Sequence, residues 1–302
     1  MQTRKIKKVL KGKPTLEGAG VHLKRVFAHE HAPQFDPFLL FDDFQSKNPE
    51  DYIKGFPWHP HRGIETITYV LTGEIEHGDS MGNEGVISSG EVQWMTAGSG
   101  VIHQEMPQNR GDGVLCGFQL WANLPASHKM MPPRYREIQQ NEIPLVQWED
   151  GVQIRVISGK VKDVQGPVTD VVIDPEYLDV TIPANTEFKY PVKSGHTVMA
   201  YVLTGKGYFD TKRDPYSYEI EGENYFDLER ESMIGSENMV VYDDGEQLHI
   251  TSGNEGVRFL LISGKPIGEP VAWQGPIVMN TKEELRTAFE DLKRGTFIKN
   301  DE

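Results

Sequence analysis

The chain of 302 residues has one cysteine, Cys116, so no disulfide can form within it and a reducing compartment is expected. Cys116 lies in the apolar run VLCGFQLW, which predicts a buried, inert thiol. Long apolar runs are missing too: no stretch approaches the roughly 18 residues that suggest a membrane span. The opening MQTRKIKKVLKGKP is basic but lacks the apolar core and small-residue cleavage site of a signal peptide, so the expected location is cytoplasmic. Positive charge is scarce. Against 45 Asp and Glu stand 31 Lys and Arg, and a net charge of −14 disfavours direct binding of phosphate backbones.

Turn-formers are abundant, with 30 Gly and 19 Pro. Short β-branched and aromatic runs such as ETITYVLTG, EVQWMTA and GVRFLLISG alternate with them, which predicts an all-β architecture of antiparallel barrels or jelly rolls. One helix is signalled near the C-terminus. Thr281 opens the capping box TKEE with Glu284, Leu285, Ala288, Phe289 and Leu292 form an apolar face, and Gly295 stops it.

The chain also repeats itself. WHPHRGIETITYVLTG from Trp58 aligns without a gap with YPVKSGHTVMAYVLTG from Tyr190, the shared endings lying 132 residues apart. GEVQWMTAGSGV from Gly90 resembles GEQLHITSGNEGV from Gly245, and on that alignment the second copy carries 23 extra residues, including the acidic, tyrosine-rich RDPYSYEIEGENYFDLERES. A repeat this long indicates a duplicated domain, not a solenoid. The polar, proline-broken segment around Pro132 and Pro133 places the boundary, giving domains 1–133 and 134–302.

Residues two apart on a strand face one way, so His59 and His61 can aim both imidazoles into one barrel. His103 and Glu105 in GVIHQEMP form a matching pair. Three imidazoles and a carboxylate without a thiolate suit a divalent first-row metal and leave coordination positions for a substrate. His29 and His31 have no second pair and read as surface. In the second copy Pro191 and Lys193 replace the first pair, and the second alignment puts Phe259 and Leu261 at the positions of His103 and Glu105. The expectation is one metal per chain, in the first copy, with His196 and His249 structural or exposed.

FDPFLLFDDF, GFPWHPHRGIET, QWMTAGSGVIHQEMP, FQLWANLP and GPIVMNT together resemble the pirin family, in order and along nearly the whole chain. The resemblance implies a bicupin of two β-sandwich barrels, with one iron(II) ion in the first held by His59, His61, His103 and Glu105. The broader cupin pattern would take its glutamate from Glu65 instead, and strand parity with His61 allows it. Two activities are attached to the resemblance. One is quercetin 2,3-dioxygenase chemistry, opening a flavonol with O₂ and releasing carbon monoxide, with Glu105 as a general base. The other is metal-dependent partnership, without catalysis, with a transcription regulator or metabolic enzyme. A monomer is expected.

Overall fold

The computed structural model describes residues 1–221 and 229–299, and part of the tyrosine-rich insert, 222–228, lies outside them. The fold is all-β, with antiparallel sheets in both halves and one α-helix among the described residues, α1 (Lys282–Arg294). Thr281 Oγ1 accepts from the Glu284 amide at 3.1 Å and Glu284 Oε2 accepts from the Thr281 amide at 2.9 Å, while Gly295 ends the helix at φ 71°. No helix among the described residues is long and apolar enough to cross a membrane.

The compact units are not the two sequence halves. One comprises 13–140 with 267–302, the other 1–12 with 141–266. Both chain ends are therefore exchanged relative to a simple boundary at 133. The cause is pairing: β1 (Ile6–Lys11) hydrogen-bonds antiparallel to Asn238–Tyr242 within the second unit's ten-stranded sheet and pairs parallel with Glu219–Glu221 on its other side. At the other end, Leu285 and Ala288 of α1 pack with Ile277, Met279 and Phe297 in the first unit.

In that first unit a seven-stranded sheet faces a four-stranded one. The larger runs β12 (Arg134–Ile138), β9 (Val92–Thr96), β6 (Ile64–Thr72), β11 (Cys116–Asn123), β4 (Phe38–Asp43), β3 (Val21–Phe27), β2 (Lys13–Glu17). The smaller runs β5 (Phe56–His61), β10 (Val101–Gln108), β7 (Glu74–Asp79), β8 (Glu84–Ile87). β5 is an edge strand in its sheet, and Pro57 and Pro60, which lack N–H donors, suit that position. Cys116 is half-buried rather than buried, at a register shift where β11 begins.

The pairings correct the second internal alignment. Thr68 and Ala200 are equivalent in the ungapped repeat, and each has one partner on either side. Thr68 pairs Gln93 and Gln119, whereas Ala200 pairs Val240 and Leu261. Leu261 thus corresponds to Gln119, not to Glu105. The counterpart of β10 is the stretch around Gln247 and His249, which pairs Pro191 and Lys189 as β10 pairs β5. The short motif misled because GE and a glycine turn recur at different strands. With this register the insert shrinks to about 15 residues, since Val240 follows Ala200 by about 40 and Gln93 follows Thr68 by about 25.

Gly63 joins the two sheets of the first unit between β5 and β6. Its φ is +79°, and a Cβ there would meet the Val278 carbonyl oxygen at 2.0 Å. Only glycine can bring the chain past that carbonyl. Around the turn, the Lys129 ammonium donates to Gly63 O (2.8 Å), Asn123 Oδ1 (2.7 Å) and Val278 O (3.0 Å). Arg62 donates to Ser99 O, Phe297 O and Asp291 and lies 4.2 Å over the Phe297 ring. Gly63→Ala is expected to destabilise the protein by about 2 kcal/mol or more, through combined backbone strain and clash. Thermal unfolding checks this, and an unchanged midpoint would refute the account.

Candidate metal centre

β5 and β10 position the histidines. His59 and His103 are direct cross-strand partners, and ring centroids lie 4.3 Å apart for His59–His103, 4.9 Å for His59–His61 and 5.0 Å for His61–His103. One nitrogen from each of the three rings falls within 4.8 Å of the others, and no other such group of three His, Cys, Asp or Glu occurs among the described residues. On β10, burial alternates so that Val101, His103, Glu105 and Pro107 face inward, as strand alternation predicts.

Two carbonyls set the tautomers. His59 Nδ1 is 2.9 Å from Pro57 O and His61 Nδ1 is 3.1 Å from Pro276 O, and a carbonyl only accepts, so each Nδ1 carries the proton. In the neutral rings both Nε2 atoms then hold bare lone pairs, and they face each other at 3.1 Å. Such a contact has no hydrogen to bridge it. Two lone pairs converging in this way would suit donation to one shared cation. His103 is fully buried, and neither of its ring nitrogens has a hydrogen-bond partner. These orphaned donor atoms fit a cation between them.

The glutamates differ in placement. Glu105 lines the cavity that His59 and His61 border, and its Oε1 lies 2.9 Å from the Thr68 hydroxyl. The same hydroxyl is 2.9 Å from Gln119 Oε1. One hydroxyl proton cannot serve two acceptors, so the Gln119 amide is best turned to present its NH₂ to Thr68, leaving that proton for Glu105. Glu105 stands beside the imidazole cluster rather than inside its 4.8 Å circle. Glu65 lies three residues from Thr68 on the regularly paired part of β6 and therefore faces the opposite side, where Thr96 Oγ1 donates to it at 2.6 Å. Parity with His61 fails because the Gly63 turn puts the two residues on different sheets.

The cavity has a volume of about 630 Å³. Trp121 stacks edge-on against His61 at 5.0 Å and lies 6.0 Å from Trp273, and Phe56, Leu23, Leu40 and Phe44 complete its apolar walls. Its polar side carries Arg25, whose guanidinium donates twice to Asp42 (2.9 and 2.7 Å) and once to Glu17 (2.7 Å). Burial pushes the Asp42 carboxyl up to about 6, and the bonds from Arg25 keep it ionised at neutral pH. Sequence reading missed these residues; the acidic pair closing the apolar run FLLFDD was the available signal. It also misjudged His31, which is buried and stacked on Phe35, whereas His29 is exposed as expected and borders the cavity 5.3 Å from Trp273. His77, likewise missed, is buried 5.5 Å from His103 and is bonded to Asp79 at 3.3 Å.

Burial, reinforced by His59, pushes the His61 pKa down to about 3, and burial drives His103 well down too. Both rings are neutral at pH 7, with lone pairs available. Without metal, an unfolded His61 would bind its proton near 6.5 and the folded one only near 3. Between those values the unfolded chain holds more protons, so stability is present above pH 6.5 and lost as pH falls below it. Metal-free protein should lose about 2 kcal/mol from His61 alone between pH 7.5 and 5. Denaturant unfolding at the two pH values measures this, and equal stability would contradict it.

The Pirin family model matches residues 20–122, and the Pirin C-terminal cupin domain model matches 177–298. A pirin-like protein of Caulobacter vibrioides is 40% identical over 298 residues, spanning 98% of this chain and 100% of that protein. A Pseudomonas aeruginosa protein named provisionally as a quercetin 2,3-dioxygenase is 39% identical over 288 residues, 94% of each chain. The crystal structure of a quercetin 2,3-dioxygenase from Acinetobacter baumannii matches with a TM-score of 0.84 at 30% identity, covering 98% of this chain and 99% of that one. With both halves matched by pirin models and a relative 40% identical along nearly the whole chain, the chain belongs to the pirin family.

Proposed function

We propose that the protein holds one iron(II) ion through His59, His61, His103 and Glu105 and opens flavonols with O₂, as quercetin 2,3-dioxygenases do. The observation that carries the reading is the set of unpartnered imidazole nitrogens bordering an aromatic-walled cavity of about 630 Å³. When bound, the ion supplies a Lewis-acidic, redox-active centre for an ionised flavonol oxygen and dioxygen.

The chain's own residues do the rest. Pro57 O and Pro276 O hold the His59 and His61 rings, which fixes donor direction before any ligand arrives. Thr68 holds Glu105 Oε1, so Oε2 is the oxygen left to face the ion, and it takes the proton of a flavonol hydroxyl only when Glu105 swings off the ion. Trp121, Trp273 and Phe56 offer flat apolar faces that orient an aromatic substrate and exclude water. A second reading, metal-dependent docking to a protein, is favoured by Trp58, which is 55% exposed on the strand that bears both first-motif histidines.

Glu105→Gln should weaken metal binding by about 10–100-fold, while Glu65→Gln, on the opposite face, should leave it within about threefold. Metal titration with elemental analysis decides, and the reverse order would transfer the ligand role to Glu65. Iron-loaded protein should consume O₂ with quercetin and release carbon monoxide, and His61→Ala should show no uptake. Full iron occupancy with quercetin bound but no uptake above free iron would move the reading to a protein partner, tested by pull-down with ferrous and ferric forms.

A further inference from the structure

Across the seven-stranded sheet, one rung of directly paired residues runs Arg25, Asp42, Gln119, Thr68, Gln93. Paired residues in an antiparallel sheet point to the same face, so these side chains form a continuous row. The internal repeat supplies the same rung in the second unit, and there it reads Val156, Leu178, Leu261, Ala200, Val240. Every polar member of the first row is replaced by an apolar one, and all five belong to the second unit's hydrophobic core. The scaffold therefore folds around an apolar rung. Asp42, Thr68 and Gln93 are buried and Arg25 and Gln119 half-buried, and polar groups buried without need cost stability, so the row in one copy has another purpose.

The row reaches the site already described. Thr68 bonds to Glu105, while Gln119, Asp42 and Arg25 line the same cavity as His59 and His61. From Thr68 to Asp42 is two strand spacings, about 10 Å. At the far end, Glu17 and Asp42 surround one guanidinium, giving a net charge of −1. Each Asp42 oxygen takes one N–H from Arg25 and keeps a lone pair. Such a wall accepts O–H donors and disfavours carboxylate or phosphate ligands, while Trp121, Phe56 and Leu40 beside it suit a flat ring.

We propose that Arg25, Asp42, Gln119 and Thr68 form a recognition subsite for the hydroxyl groups of a planar polyhydroxylated aromatic, running from Thr68 beside Glu105 to Asp42 about 10 Å away. The proposal rests on the flavonol reading and narrows it to substrates bearing hydroxyls distant from the enolic end. In this account Asp42 and Gln119 contact the ligand directly, and Arg25 and Glu17 position Asp42.

Binding of quercetin and of 3-hydroxyflavone, which lacks the distal hydroxyls, is measured anaerobically on metal-loaded protein by quenching of tryptophan fluorescence. Wild type should bind quercetin about tenfold or more tightly than 3-hydroxyflavone. Asp42→Asn and Gln119→Leu should each weaken quercetin about tenfold and change 3-hydroxyflavone by no more than about twofold. Thermal unfolding and metal content certify each variant, and Gln119→Leu, which installs the residue type of the second unit's rung, serves if Asp42→Asn misfolds. Equal wild-type affinity for the two flavonols, or equal loss of both in the variants, overturns the subsite. Discrimination in binding without O₂ uptake leaves the subsite standing and refutes the dioxygenase. Uptake with both flavonols and no discrimination does the opposite, and no binding of either ligand overturns both.

Discussion

Two imidazole lone pairs held 3.1 Å apart by carbonyls on their far sides are the constraint around which the first unit is organised. Neither ring can turn away without losing its Nδ1–H bond, and burial prevents His61 from easing the contact by taking a proton. A cation satisfies all of it at once. The price is geometric precision from three parts of the chain distant in sequence: β5, β10 and the segment carrying Pro276. Residues 267–302 belong to the same compact unit as β5 for this reason, with Lys129 bonding both Gly63 and Val278 and Arg62 bonding Asp291 and Phe297. The C-terminal segment thus sets the orientation of a candidate ligand through the Pro276 carbonyl.

Much of this was legible in the residues. Period-two spacing gave the inward pairs His59/His61 and His103/Glu105, and the capping box gave α1 at its observed ends, because both depend on local geometry alone. What depends on which strands pair was not legible. The Gly63 turn resets side-chain parity, so counting residues from His61 to Glu65 carried no information about direction. The exchange of chain ends, the burial of His31 and the cavity roles of Arg25 and Asp42 all follow from pairings between segments far apart in sequence. A short motif shared by two turns likewise matched the wrong strands of the two copies.

The duplication gives a physical reason why polar chemistry can sit inside so small a barrel. A row of buried and half-buried Arg, Asp, Gln and Thr yields little hydrophobic stabilisation, and the imidazole cluster opposes folding in acid. The second unit bears the opposite composition, with Val156, Leu178, Ala200, Val240 and Leu261 continuous with a large apolar core. It also receives β1 between Asn238–Tyr242 and Glu219–Glu221, where the strand supplies backbone partners to both.

Charge is arranged on the same logic. The Glu17–Arg25–Asp42 group keeps a net negative charge at one end of the cavity, while a divalent ion bound by three neutral rings and one carboxylate would be net positive at the other. A ligand that ionises at one end and donates neutral hydroxyls at the other meets complementary potential along its length. One that is anionic at both ends is repelled at Asp42, and one with no donors leaves the acceptor wall unsatisfied. Buried acceptors left without donors are costly, and that penalty discriminates more sharply than any apolar contact the aromatic walls provide.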